Sequence, residues 1–387
     1  MSKIPRLLDL DLPPGQSAFL WGPRKVGKTT FLRDTYPDGI VYDFLDTKLH
    51  LDLIKRPWLL REKLLADTAN VKNRPVILDE VQKVPALLDE VHWLIENEGI
   101  QFILCGSSAR KLKRGQANLL GGRAWRFEMC PLVSAEVGGF DLLRALNNGL
   151  IPSHYLAGDA GRALRAYTRD YLKEEVFAEG LTRNMPAFSR FFDAMGYSHG
   201  ELTNFSNIAR ETGVDSKTVR EYYQILVDTL LGRFVEPYSR RSNRQVITRA
   251  AKFYLFDVGV AGIITERRIH EERGELFGKA FEHFIFMELA AHAAYTGLEY
   301  RIRFWRTRAG QEVDFVLGDG EIAIEVKGSN QVERKDLRGL KAFADDHKPR
   351  HSILVCTEPD ERLTDNGIRI LPWSLFLERL WAGKIIR

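Results

Sequence analysis

The sequence predicts a protein of the α/β class that contains several domains. Its length is 387 residues, and because domains commonly hold about 100–200 residues, two or three domains are expected. Hydrophobic residues make up 44% of the chain and charged residues 28%, a balance typical of a globular protein with a large core. In two parts of the chain, short apolar runs alternate with helix-like segments, which is the pattern of strands covered by helices.

The first α/β part extends from Ser17 to Met129. Its apolar runs are short, as expected for buried parallel strands, and they cover residues 17–21, 39–44, 75–79, 101–105 and 124–129. From about Pro131 the pattern becomes helical and ends in an amphipathic stretch near residue 181. These features predict a strand-rich domain followed by a small helical subdomain.

Residues 22–29 read Gly-Pro-Arg-Lys-Val-Gly-Lys-Thr and match the phosphate-binding pattern G-x-x-x-x-G-K-[ST] between a strand and a helix. The glycines let the backbone wrap a phosphate, and the N–H groups at the start of the helix supply donors. Lys28 is expected to reach the β- and γ-phosphates of ATP, and the Thr29 hydroxyl to ligate Mg²⁺. The predicted nucleotide contacts are Gly22, Pro23, Arg24, Lys25, Val26, Gly27, Lys28, Thr29 and Thr30.

Polar residues follow the next two predicted strands of this part. Asp79 and Glu80 end one strand, and alternation sends them to opposite sides, so that Asp79 is expected to hold the magnesium and Glu80 to activate the attacking water. Ser107 and Ser108 follow the other strand, where a hydroxyl can sense the γ-phosphate. They could equally cap the helix that comes next. Arg123 follows two glycines and is a candidate arginine finger for a neighbouring subunit; a surface arginine is the alternative.

Four segments, residues 77–85, 103–112, 119–124 and 129–136, resemble the AAA-type ATPase module. Together with later blocks, including EVDFVL and IAIEVKGS, they resemble the bacterial and archaeal AAA-type ATPases that carry an uncharacterised C-terminal domain. The resemblance implies a sensor at Ser107 or Ser108, an arginine finger at Arg123, a helical lid and a hexameric ring. The lid sensor arginine is left open among Arg162, Arg165 and Arg169.

Residues 205–228 have the form of a helix-turn-helix, with the second helix beginning at a capping Ser216 and presenting Lys217 and Arg220. The basic stretch 233–252 follows, with six basic residues and one acid. A basic hairpin in this place predicts a wing that grips DNA phosphates through Arg240, Arg241 and Arg244. The alternative is a structural winged helix whose arginines are solvated or pair with another domain.

A second α/β part follows Gly278. Asp314 lies on one predicted strand and Glu325-Val326-Lys327 on the next, which is the pattern of PD-(D/E)XK nucleases. The carboxylates of Asp314 and Glu325 could hold Mg²⁺ or Mn²⁺ while Lys327 orients a water, and Glu282 on the preceding helix could complete the site. The alternatives are an inactive scaffold and a salt-bridged pair of strands.

The composition limits which cellular compartment and which binding partners are expected. The three cysteines lie far apart without a CxxC pair, so neither a zinc site nor a disulfide framework is expected. The N-terminus lacks an apolar signal region and no apolar run approaches the roughly 20 residues that span a bilayer, so a cytoplasmic location is expected. A net charge of +4 is too small by itself to indicate nucleic-acid binding.

The sequence therefore predicts four domains: an AAA-type ATPase core at 1–130, a helical lid at 131–183, a winged helix at 184–265 and a PD-(D/E)XK nuclease-like domain at 266–387. The expected function is ATP hydrolysis coupled to the remodelling of branched or otherwise structured DNA, in a homo-oligomer with Mg²⁺ as cofactor. The alternatives are a nucleotide-switched signalling or scaffold protein that binds other proteins, and an ATP-gated, metal-dependent nuclease.

Overall fold

A computed structural model describes residues 4–108, 120–172, 184–240 and 244–387 of the chain. The chain divides into two compact units. The P-loop unit comprises Arg6–Cys130 together with the short later segment Asp228–Leu231. The C-terminal unit comprises Pro131–Val227 and Gly232–Arg387, with the N-terminal residues up to Pro5.

The P-loop unit is built on a five-stranded parallel sheet with strand order β2-β3-β4-β1-β5. Each predicted apolar run contains one strand, so this part of the prediction is confirmed. Because all five strands point the same way, the residues that follow β1, β3 and β4 lie at one edge of the sheet. The strands are β1 Ser17–Trp21, β2 Ile40–Asp43, β3 Val76–Asp79, β4 Phe102–Gly106 and β5 Ala124–Glu128.

Helices and short 3₁₀ turns connect these strands. In α5, buried Leu87, Leu88, Val91 and Leu94 follow helical spacing and join one apolar cluster with the strands, each stabilising the fold by about 1.5–3 kcal/mol. Leu230 of the later segment packs against the same cluster. The helices are α1 Lys28–Thr35, α2 Thr47–Lys55, α3 Leu59–Ala66, α4 Thr68–Val71 and α5 Leu87–Glu98, and the 3₁₀ turns are Val81–Lys83 and Leu120–Gly122.

The C-terminal unit begins with short helices. The prediction that Ser216 caps its helix is wrong, because the Asp215 side chain accepts the hydrogen bonds from the amides of Lys217 and Thr218 at 2.8 and 2.9 Å. The elements are a 3₁₀ turn Ser134–Glu136, α6 Leu142–Asn148, α7 Pro152–Tyr155, α8 Ala160–Ala166, a π-helical turn Tyr167–Leu172, α9 Met185–Tyr197, α10 Phe205–Thr212 and α11 Ser216–Asp228.

An eight-stranded mixed sheet follows, with order β12-β13-β11-β10-β9-β8-β6-β7. β6 pairs antiparallel with β7 and, through Glu236 and Pro237, parallel with β8. The predicted boundary between residues 265 and 266 therefore runs through one sheet. The strands are β6 Gly232–Pro237, β7 Lys252–Leu255, β8 Ile302–Arg306, β9 Glu312–Leu317, β10 Ile322–Val326, β11 His351–Cys356, β12 Arg362–Leu363 and β13 Arg369–Pro372.

The helix α13 is apolar on nearly every side and is buried along most of its length, as expected of a helix inside a core. It brings Glu282 to the sheet, where Glu282 contacts Lys252 on β7. No helix in the described parts of the chain is long and apolar enough to cross a membrane. The remaining helices are α12 Val258–Ile264, α13 Glu275–Tyr295, α14 Arg338–His347 and α15 Trp373–Trp381, with a 3₁₀ turn at Arg334–Leu337.

Candidate functional site: a P-loop and a carboxylate cluster

The predicted phosphate-binding loop connects β1 to α1. Gly27 has a φ of 102°, a left-handed conformation that glycine adopts without strain. A side chain at Gly22 would place its Cβ 2.4 Å from the carbonyl oxygen of Met129, so the close approach of these two segments requires glycine. The loop then opens directly into the N-terminus of α1, where backbone N–H groups and the helix dipole favour an anion.

Lys28 and Thr29, which were predicted to bind phosphate and magnesium, are the first two residues of α1. The buried Lys28 Nζ donates to the carbonyl oxygens of Gly22 and Pro23 at 2.6 and 3.0 Å, so its ammonium lies inside the loop. Thr29 Oγ1 donates to Asp79 Oδ2 at 2.7 Å, which joins the two predicted magnesium ligands, one in the first turn of α1 and one at the end of β3. A hydroxyl and a carboxylate oxygen are hard ligands of the type Mg²⁺ prefers, so this pair fits the ion.

Glu80 is held in place by a residue that the sequence analysis missed. Its backbone is left-handed, with a φ of 59°, a strained conformation for a residue with a side chain. Gln82 Nε2 donates to Glu80 Oε2 at 2.5 Å and to Ser107 Oγ at 3.1 Å. Gln82 thereby links the predicted catalytic acid to the predicted sensor serine. Its position two residues after Glu80 was the only signal in the sequence.

The two candidate sensor serines have different surroundings. Ser107 contacts Gln82, whereas the Ser108 hydroxyl lies 3.5 Å from the backbone carbonyl of Asp228 in the later segment of the P-loop unit. The helix that either serine was expected to cap lies outside the described residues. Ser107 is thus the serine that the structure brings to Glu80.

Two further arginines of the P-loop unit lie at opposite edges of its sheet, Arg6 beside the P-loop and Arg123 at the amino edge, just before β5. Arg6, which the sequence analysis did not single out, donates to the carbonyl oxygens of Val26 and Cys130, both at 2.7 Å, and so ties the P-loop to the end of β5. Arg123 forms an ion pair with Glu96, whose pKa the guanidinium lowers. Arg123 therefore contacts a residue of its own chain, and its part as a finger for a neighbouring subunit stays a prediction.

The predicted nuclease-like residues meet at the eight-stranded sheet. Asp314 on β9 and Glu325 on β10 are buried side by side, and Asp314 Oδ2 accepts from the amide of Val326 at 2.8 Å. Lys327 Nζ lies 2.7 Å from Glu325 Oε1. Glu282 approaches from α13, as its contact with Lys252 shows. The sequence pattern thus identified residues that lie close together.

Lys252, which was counted with the basic stretch, is buried among these acids. Its Nζ lies 2.7 Å from Glu312 Oε1, 3.2 Å from Glu282 Oε1 and 3.9 Å from Asp314 Oδ1. The carboxylate cluster is defined here as these three acids together with Glu325, and it contains the ammonium groups of Lys252 and Lys327. Because side chains alternate along β7, Lys252 points into the protein. Its place in the basic stretch 233–252 had suggested a solvent-exposed side chain instead.

The electrostatics of the cluster follow from burial. Burial raises the pKa of Asp314 well above its usual range, and neighbouring Glu325 and Glu282 add to the rise. Burial likewise raises the pKa of Glu325 to about 7, against the opposing effect of Lys327. Burial by itself would lower the pKa of Lys252, but the surrounding carboxylates outweigh it and the pKa rises.

This arrangement does not fit a divalent cation at Asp314 and Glu325. The Lys252 ammonium contacts Glu312 and Glu282 and lies 3.9 Å from Asp314 Oδ1, and Glu325 is paired with Lys327, so a lysine already neighbours each of the two predicted metal ligands. Among the residues that the structure describes, no group of three or more His, Cys, Asp or Glu side chains has a geometry that could hold a metal.

The predicted DNA contacts fall into two groups. Lys217 and Arg220 are exposed in the first turns of α11, where Arg220 stacks 4.6 Å above the ring of Phe205. Arg240 lies 3.3 Å from Asp319, and both are exposed. Arg244 pairs with Asp346 and Asp345 of the same unit, which favours the alternative interpretation at this position. Arg241 lies outside the described residues.

Three segments of the chain match protein-family models. Residues 15–138 match the AAA domain, residues 140–269 match a domain of unknown function, DUF8612, and residues 277–376 match another, DUF4143. Uncharacterized protein Rv2008c of Mycobacterium tuberculosis and uncharacterized protein Mb2031c of Mycobacterium bovis are each 26% identical over 302 residues, which cover 76% of this chain and 66% of the relative. The chain thus matches just under two thirds of the length of these curated relatives.

Among solved structures, the Aeropyrum pernix ORC1 protein in complex with DNA aligns over 65% of this chain and 86% of its own, at 11% identity. Its TM-score of 0.26 is too low to bear on the fold or function of this chain. The AAA match, by contrast, includes the P-loop, Asp79, Glu80 and Ser107. Residues 15–138 therefore form an AAA domain, and the chain carries a P-loop ATPase module.

Proposed function

We propose that this chain hydrolyses ATP and uses the cycle to remodel branched or otherwise structured DNA. The ATP-hydrolysis part of the proposal rests on the contact between Thr29 and Asp79, with Glu80 held beside it by Gln82. These groups stand at the carboxyl edge of a parallel sheet, where open α/β sheets bind their ligands.

The residues of the P-loop site have different roles in the proposed hydrolysis. Lys28 exchanges its carbonyl contacts for phosphate oxygens and neutralises their charge, and Thr29 and Asp79 hold Mg²⁺. Magnesium held by Thr29 and Asp79 would supply positive charge that stabilises the phosphoryl group in the transition state. Glu80 accepts the proton of the attacking water, and Gln82 orients the Glu80 carboxylate while holding Ser107 within reach.

The DNA part of the proposal is supported by the elements before and after α11. Helices α9, α10 and α11 precede the antiparallel pair β6 and β7, and an isolated bridge joins Leu202 to Lys252. This is the order of elements in a winged helix. Exposed Lys217 and Arg220 would contact phosphates or groove edges from the start of α11, and Arg240 would add a backbone contact. Contacts of this kind favour the shape of DNA over its sequence.

The C-terminal unit acts in this proposal as a scaffold that does not cut. The placement of Lys252 among Glu282, Glu312 and Asp314 supports this choice over an ATP-gated nuclease. The other alternative, a nucleotide-switched scaffold for proteins, uses the same P-loop cycle but needs no DNA. Salt-dependent DNA binding separates the two, because phosphate contacts release counterions.

One experiment tests the proposal. ATPase rates of the full chain and of Glu80→Gln are measured with and without forked and four-way DNA, and the same DNAs are used in gel shifts over a range of salt. We expect ATP turnover by the wild type, faster turnover with structured DNA, and a stable nucleotide complex of Glu80→Gln that shifts DNA. Wild-type turnover by Glu80→Gln would disprove the catalytic assignment, and an absence of salt-dependent DNA binding would favour the protein scaffold.

The same preparation tests for cleavage and assembly. Incubation of the wild type with DNA and Mg²⁺ or Mn²⁺ is expected to leave the DNA intact, and cutting that disappears in Asp314→Ala would instead support the nuclease. A homo-oligomer, with a hexamer expected, is part of the proposal because a finger at Arg123 needs a neighbour. Mixing Arg123→Ala with Lys28→Ala should then restore part of the ATPase activity, whereas a fully active monomer would exclude the finger.

A further inference from the structure

A cavity of about 810 Å³ opens in the C-terminal unit. Its walls come from α6, from the stretch that includes α8 and the π-helical turn, and from the segment that follows α12. Among its lining residues, five are arginines and two are carboxylates, so the lining carries excess positive charge. The charged residues are Arg144, Arg165, Arg169, Arg267 and Arg268 against Asp159 and Glu266.

Arg267 is the least exposed of these arginines and lacks an acidic partner. Its Nη2 donates to the carbonyl oxygen of Val258 at 3.0 Å, and within the described parts of the chain no carboxylate forms an ion pair with it. Burial lowers the pKa of Arg267 to about 10. A guanidinium that is largely removed from water and has no counter-charge is costly, and an anion in the cavity would offset that cost.

Arg165 and Arg169 add positive charge to the solvent-exposed part of the cavity lining. They lie four residues apart across the junction of α8 and the π-helical turn, and both are exposed. Like charges at this spacing repel each other. Neither of them, nor Arg268 on the facing wall, forms an ion pair with a carboxylate among the described residues. The cavity thus gathers guanidinium groups that the protein itself leaves without acidic partners.

We propose that this cavity binds a small molecule that carries two or more phosphate groups. A guanidinium presents paired donors that match phosphate oxygens, and several of them facing one space favour a ligand with several negative groups. The volume lies in the range of about 300–1,000 Å³ that small-molecule sites occupy. Single-stranded nucleic acids are bound on aromatic platforms, and the described lining contains no Phe, Tyr or Trp, so a compact anion suits the site better.

The test uses inorganic triphosphate as the probe and calorimetry as the measurement. The full chain carries Lys28→Ala, which removes the charge that holds phosphates in the P-loop, so that binding reports on the cavity. We expect one triphosphate per chain, and affinity reduced about tenfold or more when Arg165→Gln and Arg169→Gln are added. The matched control is Arg301→Gln, since Arg301 is an exposed arginine of the same unit that does not line the cavity, and the affinity of this variant should be unchanged.

Three results would overturn the proposal. These are no triphosphate binding by Lys28→Ala, equal affinity after loss of Arg165 and Arg169, and displacement of the triphosphate by a DNA duplex, which would make the arginines a nucleic-acid surface. Thermal unfolding without ligand checks that the variants fold. Triphosphate should raise the melting temperature of Lys28→Ala and of the Arg301→Gln control, but not that of the variant that lacks both cavity arginines.

Discussion

The P-loop site and the carboxylate cluster use the same kinds of side chain, acids beside lysines at the end of a sheet, but they distribute charge differently. In the P-loop site, the hydrogen bonds of Lys28 Nζ go to backbone carbonyls, and Asp79 and Glu80 contact a hydroxyl and an amide. Cation and anions are therefore kept apart. In the carboxylate cluster, Lys252 and Lys327 contact the acids directly.

The residue types in a motif therefore do not by themselves decide whether a site is available to a ligand. Lys28 can exchange a neutral carbonyl for a phosphate oxygen without leaving a charge unpaired. A metal that entered the carboxylate cluster would compete with Lys252 for Glu282, Glu312 and Asp314, and displacing this buried ammonium would cost it its counter-charges. The P-loop site can exchange a neutral carbonyl for a ligand, whereas lysines already contact the acids of the carboxylate cluster.

Substitutions in the P-loop site should cause the greatest loss of activity. Glu80→Gln keeps the hydrogen bond from Gln82 but cannot accept a proton, so ATP hydrolysis should fall by about 10²–10⁴-fold while ATP still binds. Lys28→Ala should weaken ATP binding itself. Single-turnover hydrolysis and equilibrium binding separate the two, and equal behaviour of these variants would contradict the division of roles.

The second prediction concerns the cluster. Lys252→Met leaves Glu282, Glu312 and Asp314 without the ammonium between them, so the free energy of unfolding should fall by about 3–5 kcal/mol, measured by urea denaturation. The control Lys335→Met removes an exposed lysine that pairs with Glu333, and its stability should stay close to that of the wild type. Equal stability of Lys252→Met and wild type would show that the cluster does not depend on this lysine.

A smaller effect is expected at Gln82. Gln82→Ala removes the link between Glu80 and Ser107 but neither of those groups, so hydrolysis should slow by about tenfold with little change in ATP affinity. Steady-state kinetics checks this through kcat at saturating ATP. If instead the affinity for ATP falls and kcat is kept, Gln82 supports nucleotide binding and not the catalytic acid.

The smallest effects distinguish the two groups of predicted DNA contacts. Lys217→Ala with Arg220→Ala should weaken DNA binding several-fold and reduce the slope of log affinity against log salt by about one for each lost phosphate contact. Arg244→Ala should leave both unchanged, because Asp345 and Asp346 already hold this guanidinium. Fluorescence anisotropy at several salt concentrations measures both quantities, and a larger loss for Arg244→Ala would reverse the assignment.

The comparison also shows what sequence reasoning can reach. The five parallel strands and the P-loop were predictable, because apolar runs and glycine spacing are local signals that Val76–Asp79 and Gly22–Thr29 carry in full. Gln82 and Lys252 were not. Gln82 acts through a contact with Ser107, 25 residues away, and Lys252 faces acids that lie 30 or more residues further along the chain. Charge counting placed Lys252 with solvent-exposed arginines, whereas strand alternation in the folded sheet decides its direction.

The short segment Asp228–Leu231 has a consequence for synthesis. It belongs to the P-loop unit, and Leu230 packs on that unit's apolar cluster although almost 100 residues separate it from Cys130. The chain must therefore be synthesised beyond Leu231 before the P-loop unit can fold completely. An expression fragment that stops near residue 130 would lack this contact and would leave part of the apolar cluster of the P-loop unit uncovered.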